Sequence, residues 1–141
     1  MSSGGSEARL LRDFSSSVRW LIARMRSVND SCSKIIGFST HNPAQLRSAL
    51  GLGCLDYVAY GPVFPTHSKE RPDPVQGLEA LRKAVRLTTL PLVAVGGITL
   101  DTIAPVLDAG ADAAAVIGAI GKARDPHAAT RALLDRARER L

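Results

Sequence analysis

The chain has 141 residues, 45% hydrophobic and 22% charged, a composition that fits one globular domain with enough length for a real core. No apolar run reaches the roughly 18 residues of a spanning helix, so no membrane partner is expected. The net charge of +5 gathers at the front: residues 1–34 hold six Lys/Arg against three Asp/Glu, and residues 35–141 hold twelve against ten. A nearly balanced body with only 4% aromatic residues argues against nucleic acid as a partner, because base stacking needs aromatic platforms. Cys32 and Cys54 have no metal or redox spacing and read as reduced thiols of a cytoplasmic protein.

Met1 to Ser6 is Ser/Gly-rich and is expected to be disordered. From Ala8 to Arg26, Leu10, Leu11, Phe14, Val18, Leu21, Ile22 and Met25 fall on one helical face. Such a basic amphipathic helix packs on the domain, serves as a membrane-surface or targeting helix, or binds a partner. The chain therefore divides into a leader and added N-terminal helix at 1–34 and a body at 35–141.

Within the body, Ile35 to Thr40 reads as a first strand, and Asn42-Pro43 caps a helix running to Leu50. Asp56 to Gly61 is the second strand. It leads into a long polar, Pro-rich loop from Pro62 to Gln76, the kind of loop on which function concentrates. Leu78, Leu81 and Val85 mark a third helix, ended before Pro91. Leu92 to Val95 is the third strand, followed by Gly96-Gly97 and a helix that starts near Asp101 or Thr102 and ends at Gly110. The fourth strand is Asp112 to Ile117, and Asp125-Pro126 caps a last helix. Four parallel βα units make an α/β, partial (β/α) barrel. The Gly96-Gly97 pair is either a plain tight turn or a place where backbone amides approach an anion, and Gly118 one repeat later favours the anion.

Five segments in this order, Ile-Gly-Phe-Ser-Thr-His (36–41), Tyr-Gly-Pro-Val-Phe-Pro-Thr-His-Ser-Lys (60–69), Gln-Gly-Leu (76–78), Val-Gly-Gly-Ile-Thr (95–99) and Ala-Gly-Ala-Asp (109–112), resemble the thiamine phosphate synthase family. The resemblance covers residues 35–141, the C-terminal half of that family. It implies a TIM barrel that joins hydroxymethylpyrimidine diphosphate to a thiazole phosphate with Mg²⁺ assistance, so the expected partners are phosphorylated small molecules. It also implies that Ser39 and Lys69 contact the pyrimidine diphosphate. Thr66, His67 and Ser68 then line the thiazole phosphate side, and Gly97, Ile117 and Gly118 bind its phosphate through backbone. His41 either caps the loop or carries a proton, as in the sister thiazole tautomerase; Lys69 is either a ligand or a solvated loop charge. Ser68 stands for the family's usual Thr, and Gly118 for its usual Ser, which removes a hydroxyl donor.

The family's Gln-x-Arg-x-Lys motif, Asn-Asp pair and further Asp, which serve the diphosphate and Mg²⁺, are not found in context. Asn29-Asp30 lies beside the basic helix and reads as coincidence. Metal ligands are therefore expected to be absent, and the chain to be inactive alone. Four strands cannot close a barrel and leave open edges, so self-association or a complementing half-barrel is expected. The alternatives are a non-catalytic phosphate-binding or regulatory half-barrel, and a thiazole tautomerase using His41.

Overall fold

The structure, a computed structural model, describes residues 35–67, 70–71 and 73–140. The amphipathic segment at 8–26, Asn29-Asp30, Ser68 and Lys69 lie outside the described residues.

Four short strands, β1 (Gly37–Thr40), β2 (Tyr57–Tyr60), β3 (Leu92–Val95) and β4 (Ala113–Ala115), form one parallel sheet in sequence order. The helices are α1 (Pro43–Leu50), α2 (Gly77–Leu87), α3 (Ile103–Asp108), α4 (Gly118–Gly121) and α5 (Pro126–Arg138). Side chains alternate across each strand, and the two faces differ in kind. Phe38, Thr40, Val58, Tyr60, Leu92 and Ala94 are buried and point towards the helix layer. There Val58, Tyr60, Leu92 and Ala94 meet Leu46 of α1, Leu81 and Ala84 of α2, Val106 of α3 and Leu133 of α5, while Phe38 packs with Ala49 of α1 and Leu52 in a second, smaller core.

The opposite, inner face is thinly covered. Ser39, Ala59, Val93 and Ala113 share one register level, and Ser39 and Ala113 are exposed. Tyr57 lies across from Gly37, where a Cβ would overlap the phenol ring, so the glycine makes room for it.

Two aspartates set the register at the N-terminal ends of the strands. Ile36 N donates to Asp56 Oδ2 at 2.6 Å, and Asp56 N returns a bond to Ile36 O at 2.8 Å. The same exchange recurs two strands on, where Leu92 N donates to Asp112 Oδ2 at 2.8 Å and Asp112 N donates to Leu92 O at 3.0 Å. A carboxylate placed just before a strand thus holds the neighbouring strand in step. The first clamp engages Ile36 ahead of the ladder, and strand pairing starts at Gly37 rather than at the expected Ile35.

The caps act as their residue types require. Asn42 Oδ1 accepts from Gln45 N at 2.9 Å with Pro43 at the first turn, and Asp125 Oδ1 accepts from Ala128 N at 3.0 Å ahead of α5. Around the last strand the structure also departs from the sequence reading. β4 ends at Ala115, not Ile117, because Ile117 is already the N-cap of α4. α4 itself is a single turn of four residues, too short to show a helical period in sequence. It is held by packing on α5.

Leu81 is fully buried between α2 and the sheet. Leu81→Ala is expected to cost about 2–5 kcal/mol, read as a lower urea midpoint at unchanged m-value.

Candidate functional site

At the C-terminal ends of the strands the backbones of β2 and β3 continue to pair beyond the sheet. Val63 N donates to Val95 O at 2.9 Å, and Phe64 N donates to Gly96 O at 3.0 Å. The approach is so close that side chains are excluded along the seam. A Cβ on Gly61 would strike the Val95 carbonyl, and one on Gly97 would strike Phe64 and the Pro65 carbonyl. Gly97 also has φ +64, the left-handed region that glycine enters without strain. The Gly-Gly pair is therefore a packing requirement of the seam as well as a turn.

The loop between β2 and α2 is closed at its neck. Gln76 N donates to Pro62 O at 2.8 Å and Gly77 N to Val63 O at 3.0 Å. The Gln76 side chain accepts from the Tyr60 hydroxyl at 3.1 Å and donates to Pro74 O at 2.7 Å. Burial pushes the Tyr60 phenol above its ordinary pKa of 10.0, so it stays neutral and keeps donating.

His41 is fixed from two sides. Its backbone N donates to Gln45 Oε1 at 2.8 Å, completing a reciprocal arrangement with Asn42 at the start of α1. Its ring Nδ1 lies 2.8 Å from Gly61 O. A carbonyl only accepts, so Nδ1 carries the hydrogen and Nε2 faces the carboxylate of Asp73, 3.7 Å away.

These elements surround a cavity of about 500 Å³. His41, Gly61, Val95 and Ala115 form its inner wall, and Gly97 to Thr99 enclose a second side. Thr66, His67 and Asp73 come from the loop, and Ile117, Gly118, Ala119 and Lys122 from the β4–α4 turn. Of the residues expected at a site, His41, Thr66, His67, Gly97, Ile117 and Gly118 are thus brought together. Ile117 is 73% exposed at the lip. Ser39 is not on the wall: it sits one register level below, beside Ala59. Asp73 and Lys122 were not foreseen. Asp73 lies in a stretch without periodicity, and Lys122 becomes recognisable only once α4 is known to bring it one turn past Gly118.

In charge the cavity is sparse. On its described wall Asp73 is the one carboxylate and Lys122 the one ammonium. The remaining polar capacity is backbone N–H, hydroxyl and imidazole, with the first amides of α4 lacking intrahelical acceptors as at any helix start. That set suits a small anion such as a phosphoester. It does not suit a hard divalent cation, which needs several oxygen ligands. Among the described residues no group of three His, Cys, Asp or Glu is placed to hold a metal. The Mg²⁺ implied by resemblance does not fit these residues, and no chemistry is assigned to it on them.

Comparison with known proteins decides the lineage. The family model described as thiamine monophosphate synthase matches residues 22–120. The chain belongs to that family. It is 55% identical over 82 residues to a thiamine-phosphate synthase of Koribacter versatilis, covering 58% of this chain and 38% of that one. It is 45% identical over 98 residues to one from Bacillus velezensis, covering 69% and 43%. Among solved structures, thiamine phosphate pyrophosphorylase from Pyrococcus furiosus superposes with a TM-score of 0.75 at 37% identity, over 85% of this chain and 55% of that chain. The chain thus spans about half the length of the relatives it matches. The four parallel βα units are a portion of a TIM-type barrel, with the cavity at the C-terminal rim where such barrels hold their ligands.

Because the buried phenol resists ionisation, the fold keeps the full benefit of neutral Tyr60 below pH 10 and loses stability as pH rises beyond it. Tyr60→Phe is expected to flatten that alkaline decline in a urea-denaturation series, while costing about 1 kcal/mol at neutral pH through the lost bond to Gln76.

Proposed function

We propose that the cavity binds the phosphate of a thiazole phosphate and that the chain serves thiamine phosphate synthesis. In that reaction the C–O bond between the pyrimidine methylene and its diphosphate breaks, with the electron pair leaving on pyrophosphate. The lone pair of the thiazole nitrogen then forms the new C–N bond. The observation that carries the reading is the convergence of the Gly97 and Gly118 turns on one cavity, with Thr66 and His67 on its rim. Backbone amides at such turns stabilise an anion without needing a side chain.

His41, with its tautomer set by Gly61, is suited to receive or hold a proton at Nε2 beside the bound ring. The diphosphate contacts of Ser39 and Lys69, and the place of Ser68 on the thiazole phosphate side, belong to the same proposal and rest on the family resemblance. Magnesium enters it as a requirement met by acidic residues other than those on the described wall, so turnover needs a complementing half-barrel or other added segment. Both substrates are ionised phosphoesters, and we take the compartment to be the cytoplasm. The thin inner face and the outward sides of β1 and β4, which pair with no described strand, favour association with a second sheet. A non-catalytic phosphate-binding role is the competing reading, favoured by the lack of a carboxylate cluster among the described residues.

Three measurements separate these. In calorimetry the 141-residue chain is expected to bind thiazole phosphate, and Gly118→Asp to weaken binding at least tenfold by like-charge repulsion, with circular dichroism unchanged. A Cβ at Gly118 meets nothing within 4 Å, so that variant is sterically neutral; equal binding by both proteins would refute the phosphate site. In a product assay with both substrates and Mg²⁺ the isolated chain is expected to be inactive; turnover would refute the need for further metal ligands. In sedimentation at micromolar concentration a dimer or larger species is expected, and a monodisperse monomer would contradict the association.

A further inference from the structure

The side of the cavity above β1 and β2 differs in charge from the rest of its rim. Gly61 O, 2.8 Å from His41 Nδ1, holds the ring hydrogen there, so the neutral ring turns a lone pair at Nε2 towards Asp73. Asp73 Oδ2 stands 3.7 Å from that nitrogen, beyond hydrogen-bonding distance. Both groups line the cavity and stay partly open to it, with side chains 27% and 36% exposed. Two electron-rich groups thus converge at one place, and Asp73 is the one carboxylate on the described wall. The other side of the rim has the opposite character, with the turns after β3 and β4 and the ammonium of Lys122. β1 and β3 lie two strand spacings apart in the sheet, about 10 Å. One small molecule can therefore carry a cation to the first side while its anion rests at the second.

We propose that the His41–Asp73 edge is the cation-receiving side of the cavity, where Asp73 stabilises the positive charge that a heteroaromatic ring acquires in the reaction. The assignment rests on the phosphate reading of the cavity and deepens it, because it names where the newly formed charge is held. The ring nitrogen gives its lone pair to the pyrimidine methylene, and the C–O electron pair leaves with the diphosphate. No proton is lost from the ring, so its nitrogen ends cationic. The substrate ring is neutral at that nitrogen, so the carboxylate favours the transition state and product over the ground state. The Nε2 lone pair of neutral His41 presents its negative end to the same charge. A wall of amides and ammonium alone would oppose it. The same contact makes the cavity prefer a phosphoester with a cationic ring over one with a neutral ring.

The test is calorimetric titration of the 141-residue chain with thiazole phosphate and with its N-methylthiazolium counterpart. The second probe carries the ring charge of the product without its pyrimidine. The parent is expected to bind the cationic-ring ester about tenfold more tightly at low salt, with a smaller preference at high salt. Asp73→Asn is expected to bring the two esters within about threefold of each other and to leave the neutral-ring ester unchanged. Asp73→Glu, which keeps the charge, is expected to retain most of the preference. No preference in the parent, or an equal preference in Asp73→Asn, would overturn the role of Asp73 while leaving the phosphate site standing. Failure of the parent to bind either ester would overturn both.

Discussion

The site depends on one close contact, the backbone seam where residues 61–64 run against residues 95–97. Two amide–carbonyl bonds carry β2 and β3 past the edge of the regular sheet, and glycines at 61, 96 and 97 let the two chains meet without side chains between them. From this seam the remaining parts take their places. The loop that leaves at Pro62 returns to the same spot at Gln76, so its length is spent on the rim and not on crossing the molecule. Gly61 also offers its carbonyl to His41, which ties β1 into the arrangement.

The division of labour between the two sheet faces follows from alternation. Most helix-facing residues are large or branched, and they are buried and hold the layers together. Ser39, Ala59, Ala113 and Ala115 keep much of the inner face small beside the larger Tyr57, Val93 and Val95, and glycine follows the strands at 61 and 96. A cavity is the result of withholding side chains where three strand ends converge. Its electrostatic character comes mainly from peptide groups, with Asp73 and Lys122 as the two charges on the described wall. A wall built in this way binds by shape and dipole, and small changes in side-chain chemistry at its edge have room to alter what it accepts.

Much of this was legible in the sequence, for identifiable reasons. The strands are short apolar runs closed by glycine, and the caps at Asn42 and Asp125 use side chains whose preference is strong and local. The Gly-Gly turn, Thr66, His67 and Gly118, which line one cavity, belong to a motif order that reflects a shared fold. What escaped was non-local or too short to have a period. α4 is one turn, and without it Lys122 reads as a solvated charge. Asp73 reaches His41 from a loop with no pattern to follow. Ser39, which the resemblance assigns to the pyrimidine diphosphate, sits one register level below the cavity wall. Gln76 and Asp112, which belong to the same motifs, make backbone bonds that hold the frame.

The paired carboxylate clamps below β1–β2 and β3–β4 have an effect at the far end of the molecule. Slippage by one residue would turn every strand inside out, exchanging the oily side for the hollow one. Because Asp56 and Asp112 bolt the floor in step, the ceiling loops are relieved of that duty. They are free to diverge in length and chemistry, and a new specificity could be grafted above the same four rods without retuning what lies beneath.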